Sequence, residues 1–184
     1  MTSRDLWAAR HPAVAVHGVC YGRTDVPLAD DAGVSAARLH ATFPGAARSA
    51  VWSSFSSRCA TVALDLAARW GATTPRDPRL LELDFGAWEG RAWGDLEREN
   101  TAAYARWMSE WQVAAPPEGE TLATFRARVA SWLSDRRADR DHEAPALVAH
   151  AGVIRALRVL VDGESWESAM ARDVPHLAWQ RFAL

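Results

Sequence analysis

Pro145-Ala146-Leu147-Val148-Ala149-His150-Ala151-Gly152-Val153-Ile154-Arg155 is an apolar run that stops at a histidine and passes straight into a helix-opening pattern. A short, continuous apolar run of this kind reads as a strand buried on both faces, where polar alternation is not needed. Working outward, Leu6 to Ala9 is a second such run, and Ala50 to Trp52 looks like the end of a third. Leu177 to Leu184 is a fourth, partly alternating.

Helical patterns lie between these runs. Val62, Leu66 and Trp70, flanked by Ala63 and Ala67, form one face of a helix near 57–70, and Leu122, Phe125, Val129, Trp132 and Leu133 do the same near 120–135. Trp93, Leu96, Tyr104, Trp107 and Trp111 predict an aromatic face on a helix near 93–112, ended before Pro116-Pro117. Tryptophans at helical spacing belong to a core more often than to a cleft, so a core face is the expectation. Strands alternating with helices predict an α/β fold, a three-layer α/β/α arrangement with a mostly parallel central sheet. No repeat or long linker interrupts the chain, which reads as a single domain, 1–184.

Composition narrows the function. With 184 residues, 49% apolar and 24% charged, the chain can build a core without disulfides or metals. A net charge of -2 gives no reason to expect nucleic acid or an anionic membrane as partner. All 21 basic residues are arginine, which removes Schiff-base lysines and the lysine of a Walker A loop. Cys20 and Cys59 follow no metal or redox spacing, the N-terminus lacks the apolar stretch of a signal peptide, and no later run is long enough to span a bilayer. A reduced, cytoplasmic protein is expected.

In open parallel sheets, ligands bind beyond the carboxyl ends of the strands. Arg10-His11 follows the first strand, Ser53-Ser54 the second with Arg58 just inside the next helix, and His150 the third. Two histidines and two arginines thus converge on one sheet edge. Arginine forks stabilise a phosphoryl dianion, and a histidine with one unprotonated ring nitrogen can take the phosphoryl group. Neighbouring guanidiniums help by disfavouring imidazolium. A carboxyl group must still protonate the departing alkoxide; Glu82, Asp84 and Glu89 are all candidates. A zinc site from His11, His17 and His150 is disfavoured by the local arginines. His40, His142 and His176 lack comparable context and read as structural, while Arg136-Arg137 and Arg140, interspersed with Asp135, Asp139 and Asp141, read as a solvated helix end.

Arg10-His11, Ser53-Ser54-x-x-Ser57-Arg58, Glu82-x-x-Phe85-Gly86-x-Trp88-Glu89-Gly90, Gly119-Glu120-Thr121 and His150-Ala151-Gly152-Val153-Ile154-Arg155 occur in the order of the histidine phosphatases, the phosphoglycerate mutase-like family. This resemblance covers about residues 6–160. It implies a metal-free, cofactor-free phosphomonoesterase with His11 as nucleophile, a phosphate pocket of Arg10, Arg58 and His150, and Glu82 as proton donor. It also implies substrate contacts at Tyr21, Gly22, Phe85 and Ala151. Arg23, in the same stretch, joins the substrate set, although it and Asp25 can equally order their own loop.

Pro12 replaces the glycine common after the nucleophile, and His11 to Tyr21-Gly22 is short for a mutase. With Cys20-Tyr21-Gly22-Arg23-Thr24-Asp25-Val26-Pro27-Leu28, these departures resemble the alpha-ribazole phosphatase branch, which removes the 5′-phosphate from alpha-ribazole phosphate in cobalamin biosynthesis. The alternatives are a phosphoglycerate mutase-type transferase, a broad-specificity sugar or nucleotide phosphatase, and, last, a non-catalytic phospholigand-binding module.

Overall fold

A computed structural model describes residues 4–99, 101–139 and 145–184. Its sheet has four strands, β1 (Asp5–Arg10), β2 (Val51–Ser53), β3 (Ala146–Ala149) and β4 (Trp179–Ala183), in the order β2-β3-β1-β4. β3 pairs in parallel with both β1 and β2, with Ala9 opposite Val148 and Ser53 also opposite Val148. Only β4 runs antiparallel, against β1. All four predicted strands exist, although the last begins at Trp179 because Leu177 has a left-handed φ of 56°.

β3 is buried at every position, and the reason is visible in how its side chains divide. Leu147 and Ala149 join Leu6, Ala8, Phe125, Val129, Trp132, Val153 and Leu157 on one face. Ala146 and Val148 join Ala9, Leu39, Val51, Val62 and Leu66 on the other. The first group is supplied by α5 (Leu122–Ala138) and α6 (Ala151–Val161), the second by α1 (Ala32–Thr42) and α2 (Ser57–Trp70). Helices therefore cover both faces, which is the predicted three-layer arrangement.

Two departures follow from local chemistry. α1 was not foreseen: its buried residues are Ser35, Ala36 and Leu39, too small a face to show as apolar periodicity. The helix expected over 93–112 is two, α3 (Trp93–Glu99) and α4 (Ala102–Glu110). Thr101 accepts a hydrogen bond from Tyr104 N at 3.2 Å and caps the second helix afresh. A short α7 (Trp166–Ala171) precedes β4. No helix among the described residues is long and apolar enough to cross a membrane.

Candidate active site

β1, β2 and β3 all point their carboxyl ends at one cavity of about 570 Å³. Arg10, His11, Arg58, Glu82 and Arg155 make its polar floor, and Tyr21, Phe85, Trp93, Trp107, Trp111 and Trp166 its aromatic wall.

His11 follows the last residue of β1 and is tied by its backbone N–H to Ala149 O at 2.8 Å. Its Nδ1 lies 2.7 Å from the carbonyl oxygen of Pro12. A carbonyl only accepts, so the proton resides on Nδ1 and Nε2 keeps its lone pair. Burial, opposed by the bond to Pro12 and aided by the charges of Arg58 and Arg10, pushes the His11 pKa down to about 3. The ring is therefore neutral at physiological pH. His150 packs edge-on to His11 with ring centroids 5.4 Å apart. Burial first, then the charges of Arg58, Arg128 and Arg10, hold it neutral as well. Its Nε2 meets Ser54 Oγ at 2.8 Å, and Cys59 Sγ lies 3.5 Å from the same nitrogen.

Arg58 is fully buried, and its two terminal nitrogens donate to Thr24 O at 2.9 Å and Gly22 O at 2.6 Å. Its Nε has no partner among the described residues, and the same is true of Nε on Arg10 and Arg155. Buried N–H groups are rarely left unmatched. What sets Arg10, Arg58 and Arg155 apart is that all three line one cavity beside His11, a concentration of guanidiniums suited to an anion.

The three candidate carboxylates separate cleanly. Glu82 lines the cavity and accepts backbone N–H from Leu83 and Gly152, each at 3.0 Å. Gly152 is in the first turn of α6, so this carboxylate also sits at a helix N-terminus. Glu89 is committed elsewhere: it accepts N–H from Gly22, Arg23, Thr24 and Phe85 at 2.8–3.1 Å. Burial alone would raise its pKa, but these bonds outweigh it and lower the value. Asp84 accepts from Gly86 N at 2.9 Å and does not line the cavity.

Of the expected substrate contacts, Tyr21, Phe85 and Ala151 line the cavity, whereas Gly22 and Arg23 do not. Gly22 is there for close packing, since a β-carbon on it would fall 1.8 Å from Leu83 O. Arg23 points its Nε to Glu82 O at 3.2 Å and its Nη2 toward Glu120 at 3.6 Å. Asp25 orders its loop: both its oxygens accept Ser57 N–H at 3.0 Å, at the start of α2.

Other readings change. The aromatic face over 93–111 serves both ends: Leu96 is buried with Cys20 and Trp88, Trp93, Tyr104 and Trp107 pack against that cluster, and Trp93, Trp107 and Trp111 also line the cavity. His176 is no remote structural residue: its Nδ1 donates to His11 O at 2.6 Å, and the two rings are 5.5 Å apart. His40 accepts a hydrogen bond from Trp70 Nε1 at 2.8 Å, away from the cavity. His17 is exposed. His142, Arg140 and Asp141 lie outside the described residues. Arg128, which no sequence signal singled out, clamps the approach to Glu82 by donating to Arg79 O, Leu81 O and Glu82 O at 2.5–2.9 Å while pairing with Glu120.

A family model described as histidine phosphatase superfamily (branch 1) matches residues 6–183. The chain belongs to this superfamily. The adenosylcobalamin/alpha-ribazole phosphatase of Salmonella typhimurium is 33% identical over 157 residues, 83% of this chain and 76% of that one. The Escherichia coli K12 protein of the same name is 28% identical over 176 residues, 95% and 87% of the two chains. The crystal structure of the alpha-ribazole phosphatase from Shigella flexneri superposes with a TM-score of 0.87 at 27% identity, covering 96% of this chain and 89% of that one. This histidine phosphatase is accordingly a phosphatase by family, and its fold is the phosphoglycerate mutase-like one.

Proposed function

We propose that this histidine phosphatase hydrolyses alpha-ribazole 5′-phosphate through a phosphohistidine on His11. The single observation that carries the reading is the polarity of the cavity. Its floor holds a neutral histidine among guanidiniums, and its wall is apolar and rich in tryptophan. A phosphate joined through ribose to a flat aromatic base presents the same two halves. Phosphoglycerates have no ring to set against the tryptophans. The names of the relatives agree with this choice.

In the first step the Nε2 lone pair of His11 attacks phosphorus and the P–O ester bond breaks. Glu82 gives its proton to the departing alkoxide. Arg10, Arg58 and Arg155 direct N–H groups to the non-bridging oxygens, and His150, buried behind the cavity with Nε2 on Ser54 Oγ, packs against the ring of His11. In the second step water attacks the phosphohistidine, Glu82 takes the water's proton, and the P–N bond breaks to release phosphate. Because guanidiniums carry the charge stabilisation, activity in EDTA is expected.

The test is a panel of alpha-ribazole 5′-phosphate, phosphoglycerates, sugar phosphates and nucleotides compared by kcat/KM, with His11→Ala as the control. Preference for the first and loss of activity in the variant support the reading. Equal rates across the panel would remove the substrate assignment, and full activity of His11→Ala would remove the mechanism.

A further inference from the structure

The segment just before β4 makes three hydrogen bonds to the dipeptide Arg10-His11. Val174 O accepts from Arg10 Nη1 at 3.0 Å, Leu177 N donates to Arg10 O at 3.0 Å, and His176 Nδ1 donates to His11 O at 2.6 Å. The backbone of His11 is thereby held on both sides, by Ala149 O at its N–H and by His176 at its carbonyl.

This arrangement carries a conformational cost. β4 runs antiparallel to β1, whereas Arg10 and His176 form a parallel bridge. The chain must therefore reverse between His176 and Trp179. It does so with Leu177 at φ 56°, a left-handed conformation that a leucine adopts only at a cost. Strain next to a functional residue persists when surrounding contacts over-determine it, and the three bonds are those contacts.

We propose that His176 is a positioning residue for the nucleophile: its Nδ1–H fixes the carbonyl of His11 and so the direction in which His11 Nε2 faces the phosphoryl group. His176 does not line the cavity and acts only through His11. This inference rests on the reading of His11 as nucleophile. It also fits a half-buried histidine whose pKa is lowered, chiefly by burial. The donor is needed, not a charge.

Stereochemistry supplies a sharp test. Asparagine carries an N–H donor the same number of bonds from Cα as histidine Nδ1, while glutamine places it one bond further out. With p-nitrophenyl phosphate as substrate, His176→Ala is expected to lower kcat by about 10- to 100-fold, as expected for a slightly misplaced reacting atom. Competitive inhibition by inorganic phosphate should stay within about twofold, because the guanidiniums are untouched. His176→Asn should recover kcat to within about threefold of the parent, and His176→Gln should not.

Unchanged kcat in His176→Ala overturns the proposal, and so does equal impairment of the Asn and Gln variants. Should His176→Ala fail to fold, as judged by circular dichroism, the Asn–Gln comparison decides alone. His11→Ala, run beside them, separates the two ideas. If it stays active the nucleophile assignment has failed, and if it is inactive while His176→Ala is normal, only the positioning role has.

Discussion

Glu82 and Gly152 occupy each other's space: a β-carbon on Gly152 would lie 2.1 Å from Glu82 Oε1 and 3.2 Å from the ring of Phe125. The glycine thus lets a carboxylate reach the first turn of α6 and accept the Gly152 N–H. Gly152→Ala should push Glu82 out of place and impair proton donation. Alkyl phosphates, whose alkoxides need the proton, should lose about 100-fold in kcat, and p-nitrophenyl phosphate, with its better leaving group, about tenfold or less. Equal losses on both substrates would mean that Glu82 is not the acid.

Glu89 predicts a different phenotype. It gathers four backbone N–H groups and so shapes the 21–24 loop whose carbonyls hold Arg58. Glu89→Gln replaces one acceptor with a donor facing donors. The variant should lose about 1.5–3 kcal/mol in urea unfolding. Its KM should rise more than its kcat falls if Arg58 binds phosphate, as proposed, since a guanidinium transfers no proton.

Acid stability reports on the neutral histidines. The native pKa of His11, about 3, lies below its ordinary 6.5, so the unfolded chain takes up protons that the native chain refuses. Stability is full above pH 6.5 and falls as pH is lowered toward 3, with His150 acting in the same direction. His11 contributes a slope of about 1.4 kcal/mol per pH unit within that window. Urea midpoints between pH 6 and 5, where most carboxylates remain ionised, should show this slope reduced by one histidine's worth in His11→Ala.

The aromatic wall should act on selectivity. Trp107 stacks on Trp93 at 6.1 Å and meets the edge of Phe85 at 5.9 Å, so it anchors the side of the cavity away from the guanidiniums. Trp107→Ala should reduce kcat/KM for alpha-ribazole 5′-phosphate by about 10- to 200-fold. Hydrolysis of a small alkyl phosphate should change little. A uniform loss across substrates would assign Trp107 to folding.

Much of this site is legible in the chain because strand ends are. Leu147 and Val148 announce β3 by burial alone, and the residue after the run is then a site candidate by position. His11, Arg58 and His150 are found that way. His176 escapes because its role depends on a reversal at Leu177, a residue type that gives no sign of a left-handed turn. The aromatic face of residues 93–111 has the right period for a core, but periodicity reports that a face is apolar and not what covers it. Glu82 and Glu89 differ in which backbone N–H groups reach them and in which of them faces the cavity, long-range facts that no local pattern encodes.

The bond from His11 Nδ1 to Pro12 O has a consequence for how this enzyme can vary. Many histidine bases owe their tautomer to a carboxylate supplied from elsewhere, and that partner can be lost by one substitution. Here the acceptor is main chain, contributed by the very next residue. Replacing Pro12 alters the loop but leaves a carbonyl in the chain. Saturation mutagenesis should therefore find side chains that aim the imidazole or charge its surroundings, and none whose removal transfers the proton to the attacking nitrogen.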